Sequence, residues 1–390
     1  MTDRLPRRAE PIDKVTLKSG AVRYRFRIDL GVKADGSRDR RFFTYRSYKE
    51  ARAEFRRIST EVAAGTHVNR GRLTVAEHLE DWLAGKRDIR PNTLRNYRDA
   101  AKPILRDLGQ LALQQLTKAH IDRFLTSLRR RDGKPYAPET IRLTLSVLKQ
   151  VTKDAKRQGL IARDPAEFVQ APIPAHGHRT AVWTRQEANQ FRNHVRGDRL
   201  YALWLLTLCG LRRSEVLGLR WVDVNFQSET IVVRQARVEV TASFIDVQPP
   251  KTTRGLRTLP ITGEVSAALQ ALHRIQSSEH IEFGGGSLNE SALIATEPDG
   301  RPILPRTYTD RFRRAAKNAG VPVITLRNVR HTSVSVMLDA GIPPTTVAAW
   351  HGHDPRMTVS VYGRTYDDSL RIAGASMFQS VEEPDDSALG

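Results

Sequence analysis

Pro165, Pro172 and Pro174, closed by Gly177, form a stretch that no helix can traverse, and the basic run from Gly65 to Arg72 interrupts the chain a second time. A chain of 390 residues cut at these two places is not expected to wind about one core. The expected layout is a segment over residues 1–65, a second over 73–165, a third over 178–375 and an acidic flexible tail over 376–390 that contains Glu382 to Asp386.

The first segment has the period of a strand. Val22-Arg23-Tyr24-Arg25-Phe26-Arg27-Ile28 alternates apolar side chains with arginine, which gives one face to a core and the other to Arg23, Arg25 and Arg27. Ser19-Gly20 and Asp35-Gly36 supply turns, Arg41 to Tyr45 reads as a further strand, and Ser47 with Glu50 opens a helix. The second segment reads as helical throughout, with a capping box at Thr74 and Glu77 and helix starts at Pro91 and Pro138. Ile141, Leu145, Leu148, Val151 and Thr152 share a face of the last of these helices. The third segment opens on a box at Thr184 and Glu187, continues through a long apolar helix, and then shows strands over Thr230 to Val240, Phe244 to Val247 and Leu256 to Ile261. Helices resume near Ser266, Arg306 and Leu326. The fold class is therefore α+β and multidomain: a small N-terminal sheet with one helix, a helical bundle, and a mixed, mainly α, final domain.

Charge narrows the partner. Lys and Arg number 63 against 43 Asp and Glu, a formal net charge of +20, which favours a polyanion such as nucleic acid. The arginine face of the first segment suits phosphates or a groove, and Arg95 and Arg142 are the basic positions singled out on the bundle; a solvated helix face is the ordinary alternative for either. The single cysteine, Cys209, rules out an intrachain disulfide and fits a reducing cytosol, and no apolar run reaches the roughly 20 residues of a membrane span.

Three stretches carry chemistry. Gly210-Leu211-Arg212-Arg213-Ser214-Glu215 places a carboxylate one helical turn from an arginine, where it can hold the guanidinium; an ordinary exposed ion pair would use the same spacing. Pro250-Lys251-Thr252-Thr253-Arg254 sets a lysine in a turn between strands. Arg327-Asn328-Val329-Arg330-His331 is succeeded by Trp350-His351-Gly352-His353, with Tyr362 nine residues after His353. Guanidiniums offer planar forks to phosphate oxygens, and a phenol of ordinary pKa near 10 needs a cationic pocket to react at neutral pH. Two histidines without a carboxylate cluster make a poor metal site.

In this order the motifs resemble the tyrosine recombinases of the phage integrase kind, over most of residues 73–375, and the N-terminal sheet resembles the arm-binding domain of lambda-type members. The resemblance implies an arm-type DNA-binding domain, a helical core-binding (SAM-like) domain and a catalytic domain. It implies Tyr362 as nucleophile, with Tyr366 the less favoured alternative, Arg212 and Arg330 as the phosphate clamp, Lys251 as proton donor to the departing 5′ oxygen, and His353 as the phosphate hydrogen bond, ahead of His351. Glu215 and His331 are supporting residues, and His331 is as readily a packed one.

The family's usual H-x-L-R-H is here Arg327-Asn328-Val329-Arg330-His331, which implies Arg327 as a further catalytic residue in contact with the phosphate but leaves the general base unassigned, since guanidinium does not deprotonate. The resemblance further implies site-specific recombination through a covalent 3′-phosphotyrosine, without metal or other cofactor, integrating phage or mobile-element DNA into a bacterial chromosome. The implied partners are duplex attachment sites and a homotetramer on DNA, with room for a DNA-bending host factor and an excisionase; no membrane is involved, and the setting is the host cytoplasm. A catalytically degenerate DNA-binding regulator and a type IB topoisomerase-like enzyme are the rival readings.

Overall fold

The computed structural model describes residues 10–32, 37–64, 72–130, 132–172, 181–241, 244–250 and 252–362. Contacts between Cα atoms divide the chain into two units, residues 1–176 and 177–390.

In the first unit β1 (Ile12–Thr16), β2 (Val22–Val32) and β3 (Arg38–Tyr45) form an antiparallel sheet in that order, and α1 (Tyr48–Ala63) packs on one face. Ser47 caps α1 by accepting from the amide of Glu50 at 3.2 Å. The alternation in β2 sends Tyr24, Phe26 and Ile28 toward the helix. Phe26 is buried, stacked on Phe43 and Tyr45 with ring centroids 5.4 and 5.7 Å away and edge-on to Phe55 of α1. Arg23, Arg25 and Arg27 take the opposite face by the same period.

Beyond these, the described residues of the unit form four α-helices, α2 (Val75–Ala84), α3 (Pro91–Leu108), α4 (Lys118–Ser127) and α5 (Pro138–Arg157), with a 3-10 turn over Leu113–Gln115. Full capping boxes open α2 at Thr74 and Glu77 and α4 at Thr117 and His120, while Pro91 and Pro138 stand at the starts of α3 and α5, where a missing amide costs nothing. Leu79, Ile104, Ile121, Leu148 and Val151 are fully buried between them. Each such side chain contributes roughly 1.5–3 kcal/mol relative to exposure. The sheet with α1 and the four helices have separate apolar clusters.

The second unit contains α6 (Arg185–His194), α7 (Tyr201–Leu208), α8 (Arg213–Val216), β4 (Val224–Asn225), β5 (Thr230–Val233), β6 (Ala236–Thr241), β7 (Phe244–Gln248), β8 (Arg257–Pro260), α9 (Gly263–Glu282), α10 (Pro305–Asn318), α11 (Leu326–Asp339), α12 (Pro344–His351) and α13 (Pro355–Tyr362). The apolar helix expected after Thr184 is α7, whose residues Ala202 to Thr207 are all buried because neighbours surround it. Trp204 stacks on Tyr308 at 4.6 Å, beside Phe191 and Phe312.

One expectation fails here. The strand anticipated over Thr230 to Val240 is two strands in two sheets: β5 pairs with β4 and β8, whereas β6 pairs with β7. The break falls where the chain crosses Gly218. Gln235 donates to the Gly218 carbonyl at 2.8 Å, and a Cβ on residue 218 would meet the Gln235 carbonyl oxygen at 2.9 Å. Among the described residues no helix is long and apolar enough to cross a membrane.

Candidate active site

Helix α7 stops at Gly210, whose φ of +85° is left-handed, and the chain leaves it extended through Arg212 into α8. Glu215, one turn on, is 5 % exposed and grips both ends of Arg212: Oε2 accepts from its amide at 2.9 Å and Oε1 from Nη1 at 2.7 Å. Arg212 Nη2 also lies 3.5 Å from the carbonyl of Gly352, and its side chain keeps 43 % of its surface exposed. It is therefore oriented yet accessible.

Arg330 projects from α11 into the same place. It donates from Nη1 to the Gly210 carbonyl at 2.8 Å and from Nη2 to the carbonyl of His351, and its Nη1 stands 4.0 Å from Glu215. Nη2 is also 3.5 Å from His353 Nδ1. A guanidinium has only N–H groups to offer, so Nδ1 accepts and the proton sits on Nε2, which faces Thr358 Oγ1 at 2.6 Å. Burial, then the charges of Arg330 and Arg212, push His353 down to about 4. Burial and the charges of Arg327 and Arg330 lower His331 as well. At neutral pH both rings are uncharged.

Burial pushes the Glu215 carboxyl up, but the hydrogen bonds and charge of Arg257, with the charge and amide of Arg212, outweigh it and hold the group at about 2. The carboxylate is thus a permanent anion within the cationic cluster.

Arg212, Arg213, Arg327, Arg330, His331 and His353 border an open cavity of about 580 Å³, whose wall is completed by Arg313, by Thr309 and Thr325, and by the apolar Phe312, Ile324, Leu326, Val334 and Met357. The basic side of this lining suits an anion with several oxygen acceptors, such as a phosphodiester. Arg327 is exposed and lies one turn before Arg330 and His331 on α11. His351 is not in the cavity. It is buried, with Nδ1 2.9 Å from the Val347 carbonyl and Nε2 3.2 Å from Ser333 Oγ, and burial with the charge of Arg330 pushes it down to about 3.

Lys251 lies outside the described residues, as do Tyr366 and the acidic tail. Tyr362 is the last described residue of α13, and its side chain is outside the description. The turn after Lys251 meets the loop before α13 through Arg254 and Asp354, 2.9 Å apart.

Of the basic positions expected to face DNA, Arg25 lies 4.8 Å over the ring of Phe42, and its buried Nε has no hydrogen-bond partner among the described residues. Arg23 bonds the carbonyl of Val22, and Arg27 is exposed on the same strand. Arg95 pairs with Asp99 at 3.6 Å. Arg142 pairs with Glu139 at 3.3 Å and borders a groove along α5 with Lys149, Lys153, Lys156 and Arg157.

Sequence reasoning missed Arg257, which binds Glu215 from β8, and Thr358, which engages His353. The available signal was an arginine two residues before the apolar Leu259 in the short strand Arg257–Pro260, which the strand period puts on the same inward face.

Two family models match the chain: the Phage integrase family over residues 183–368, and the Phage integrase, N-terminal SAM-like domain over residues 76–159. A tyrosine recombinase XerC-like protein of Caldanaerobacter subterraneus subsp. tengcongensis is 25% identical over 89% of this chain and 93% of its own length. The ICEBs1 integrase of Bacillus subtilis is 22% identical over 73% of this chain and 77% of its own. Among solved structures, the Tn1549 transposon integrase in complex with transposon right end DNA superimposes with a TM-score of 0.66 at 22% identity, covering 79% of this chain and 100% of that one. A lambda integrase dimer bound to a core site gives 0.55 at 17% identity over 98% and 99%. The mixed α+β architecture is the one these structures share.

Proposed function

We propose, from the premise that this chain belongs to the phage integrase family of tyrosine recombinases, that Tyr362 is the nucleophile of a site-specific DNA integrase and that the arginine cavity holds the scissile phosphate. The observation that carries this reading is the convergence of Arg212 and Arg330 on one buried carboxylate, within reach of His353, which lies on the loop that leads into α13 and Tyr362.

In the reaction, Tyr362 Oη attacks phosphorus, a 3′-phosphotyrosine forms, and the 5′ oxygen leaves with a proton from Lys251. Arg212 and Arg330 neutralise the phosphate oxygens, where charge develops. His353 turns its Nε2–H from Thr358 to the phosphate. The phenolic proton goes to a neutral imidazole: both nitrogens of His353 are engaged, by Arg330 and by the phosphate, which leaves His331 as the acceptor in the cavity, while Arg327 binds phosphate but accepts no proton. A 5′ hydroxyl of the partner duplex then attacks the phosphotyrosine, which restores the diester and releases Tyr362.

Residues 1–65 serve as an arm-type DNA-binding domain through Arg23, Arg25 and Arg27, residues 73–165 as the core-binding domain with Arg95 and Arg142 toward the duplex, and residues 178–375 as the catalytic domain. Four protomers act on two attachment sites, with a DNA-bending host factor and an excisionase as accessory partners, in the cytoplasm of a bacterial host. A relative named as a prophage integrase, the Tn1549 transposon integrase, and a lambda integrase tetramer bound to a Holliday junction support the biological setting and the assembly.

The test is capture of a covalent adduct on a nicked attachment duplex in EDTA. Wild type and Tyr366→Phe form it and Tyr362→Phe does not. A DNA-binding regulator, the second reading suggested by Arg327, binds the same duplex and forms none.

A further inference from the structure

The residues that the motifs mark are joined by one that no motif marks. The side chain of Arg257 is 7 % exposed, and its guanidinium reaches two distant segments as well as the turn just before it in the chain. Nη2 and Nη1 donate to the two oxygens of Glu215 at 3.0 and 3.2 Å, Nε donates to the carbonyl of Trp350 at 2.8 Å, and Nη1 lies 3.2 Å from the carbonyl of Gly255. The first contact holds the carboxylate that orients Arg212, the second holds the turn that presents His353, and the third holds the turn that comes after Lys251. Gly352 leaves room for this: a Cβ there would stand 3.1 Å from Arg257 Nη1 and 2.7 Å from the carbonyl oxygen of Arg254.

We propose that Arg257 is a positioning residue, which fixes Glu215, and through it Arg212, against the Trp350 to His353 turn so that Arg212, Arg330 and His353 meet one phosphate together. The inference rests on the recombinase reading above. A buried ion pair is a poor device for stability, since apolar residues of similar volume often do as well or better, whereas a planar fork bonded at both edges fixes directions. Lysine, with a single nitrogen, cannot bond Glu215, Trp350 and Gly255 in those directions at once.

The experiment uses the full chain and the attachment duplex recovered by sequencing junctions that the wild type makes in cells. Single-turnover adduct formation, duplex affinity and thermal unfolding are measured for wild type, Arg257→Lys, Arg257→Met and the double variant Arg257→Met with Glu215→Gln. Arg257→Met is expected to slow adduct formation about a hundredfold, the effect of a misplacement near 1 Å, with duplex affinity within about threefold. Arg257→Lys falls between wild type and Arg257→Met.

In Arg257→Met, Glu215 is left with Arg212 beside it and Arg330 at 4.0 Å, so its carboxyl rises and the adduct rate gains an acid flank that the wild type lacks. The double variant removes the stranded charge and regains thermal stability without regaining rate. Should Arg257→Met fail to fold, the double variant decides alone. Wild-type rate in either Met variant overturns the inference. Absence of an adduct from the wild type would overturn the recombinase reading itself, so the two failures are distinct.

Discussion

Gly210 and His351 fit against each other with no space for a methyl group: a Cβ on residue 210 would sit 2.5 Å from His351 Nε2 and 2.9 Å from Ser333 Oγ. The carbonyl of the same glycine accepts from Arg330. Backbone conformation, a buried histidine and a cavity arginine therefore meet at one residue.

Gly210→Ala should destabilise the protein by about 2–4 kcal/mol, combining the left-handed φ with overpacking. Urea unfolding measures this. A change below about 0.5 kcal/mol would show that His351 and Ser333 can move aside.

Acid should weaken the fold before any carboxylate protonates. His351 is held at about 3 against an ordinary 6.5, so the unfolded chain binds the extra proton, and stability present above pH 6.5 is lost as pH falls from there toward 3. The lowered His353 and His331 act in the same direction. Glu215, held at about 2 against 4.5, adds a loss only below pH 4.5. Thermal midpoints of the wild type should decline between pH 7 and 5, and more gently for His351→Gln; parallel curves would remove His351 from the account.

Arg330→Lys and Arg212→Lys keep the charge and lose the fork. Each is expected to slow single-turnover adduct formation by roughly 10²–10³, comparable to removing one oriented donor from a reacting oxyanion, with little change in duplex affinity. Equal losses of rate and affinity would assign the two arginines to ground-state binding.

Duplex affinity should be steeply salt-dependent, with a log–log slope of roughly −0.9 per phosphate neutralised. Arg142→Ala is expected to reduce the core-site slope by about one, whereas Arg25→Ala is expected to leave that slope unchanged and weaken binding to the arm site. Filter binding at several salt concentrations measures both. An Arg25→Ala effect on the core site alone would reassign the sheet face.

Much of this was legible because local rules dominated. Thr74 with Glu77 and Thr184 with Glu187 form the capping boxes their spacing announced, and the alternation around Phe26 gave the sheet its apolar face. Local rules failed where a distant residue decided. The break after Val233 depends on Gly218 lying beneath Gln235, and Arg257 depends on Glu215, 42 residues away, for its meaning. Spacing alone does not separate His351 from His353, and it was the family resemblance that put His353 ahead; the fold supplies the physical reason, packing one ring against Ser333 and opening the other to the cavity.

Glu215 is shared by the guanidiniums of Arg212, Arg257 and Arg330, so the described groups around it remain cationic in sum. Like charges gathered this closely repel, and the packing of α8, β8 and α11 restrains them. A phosphodiester seated among them would relieve that repulsion, so substrate and fold reinforce each other. The same crowding sets a limit on improvement by mutation: neutralising one of the cavity arginines can ease the repulsion within the free protein, but it removes part of what the cavity offers an anion.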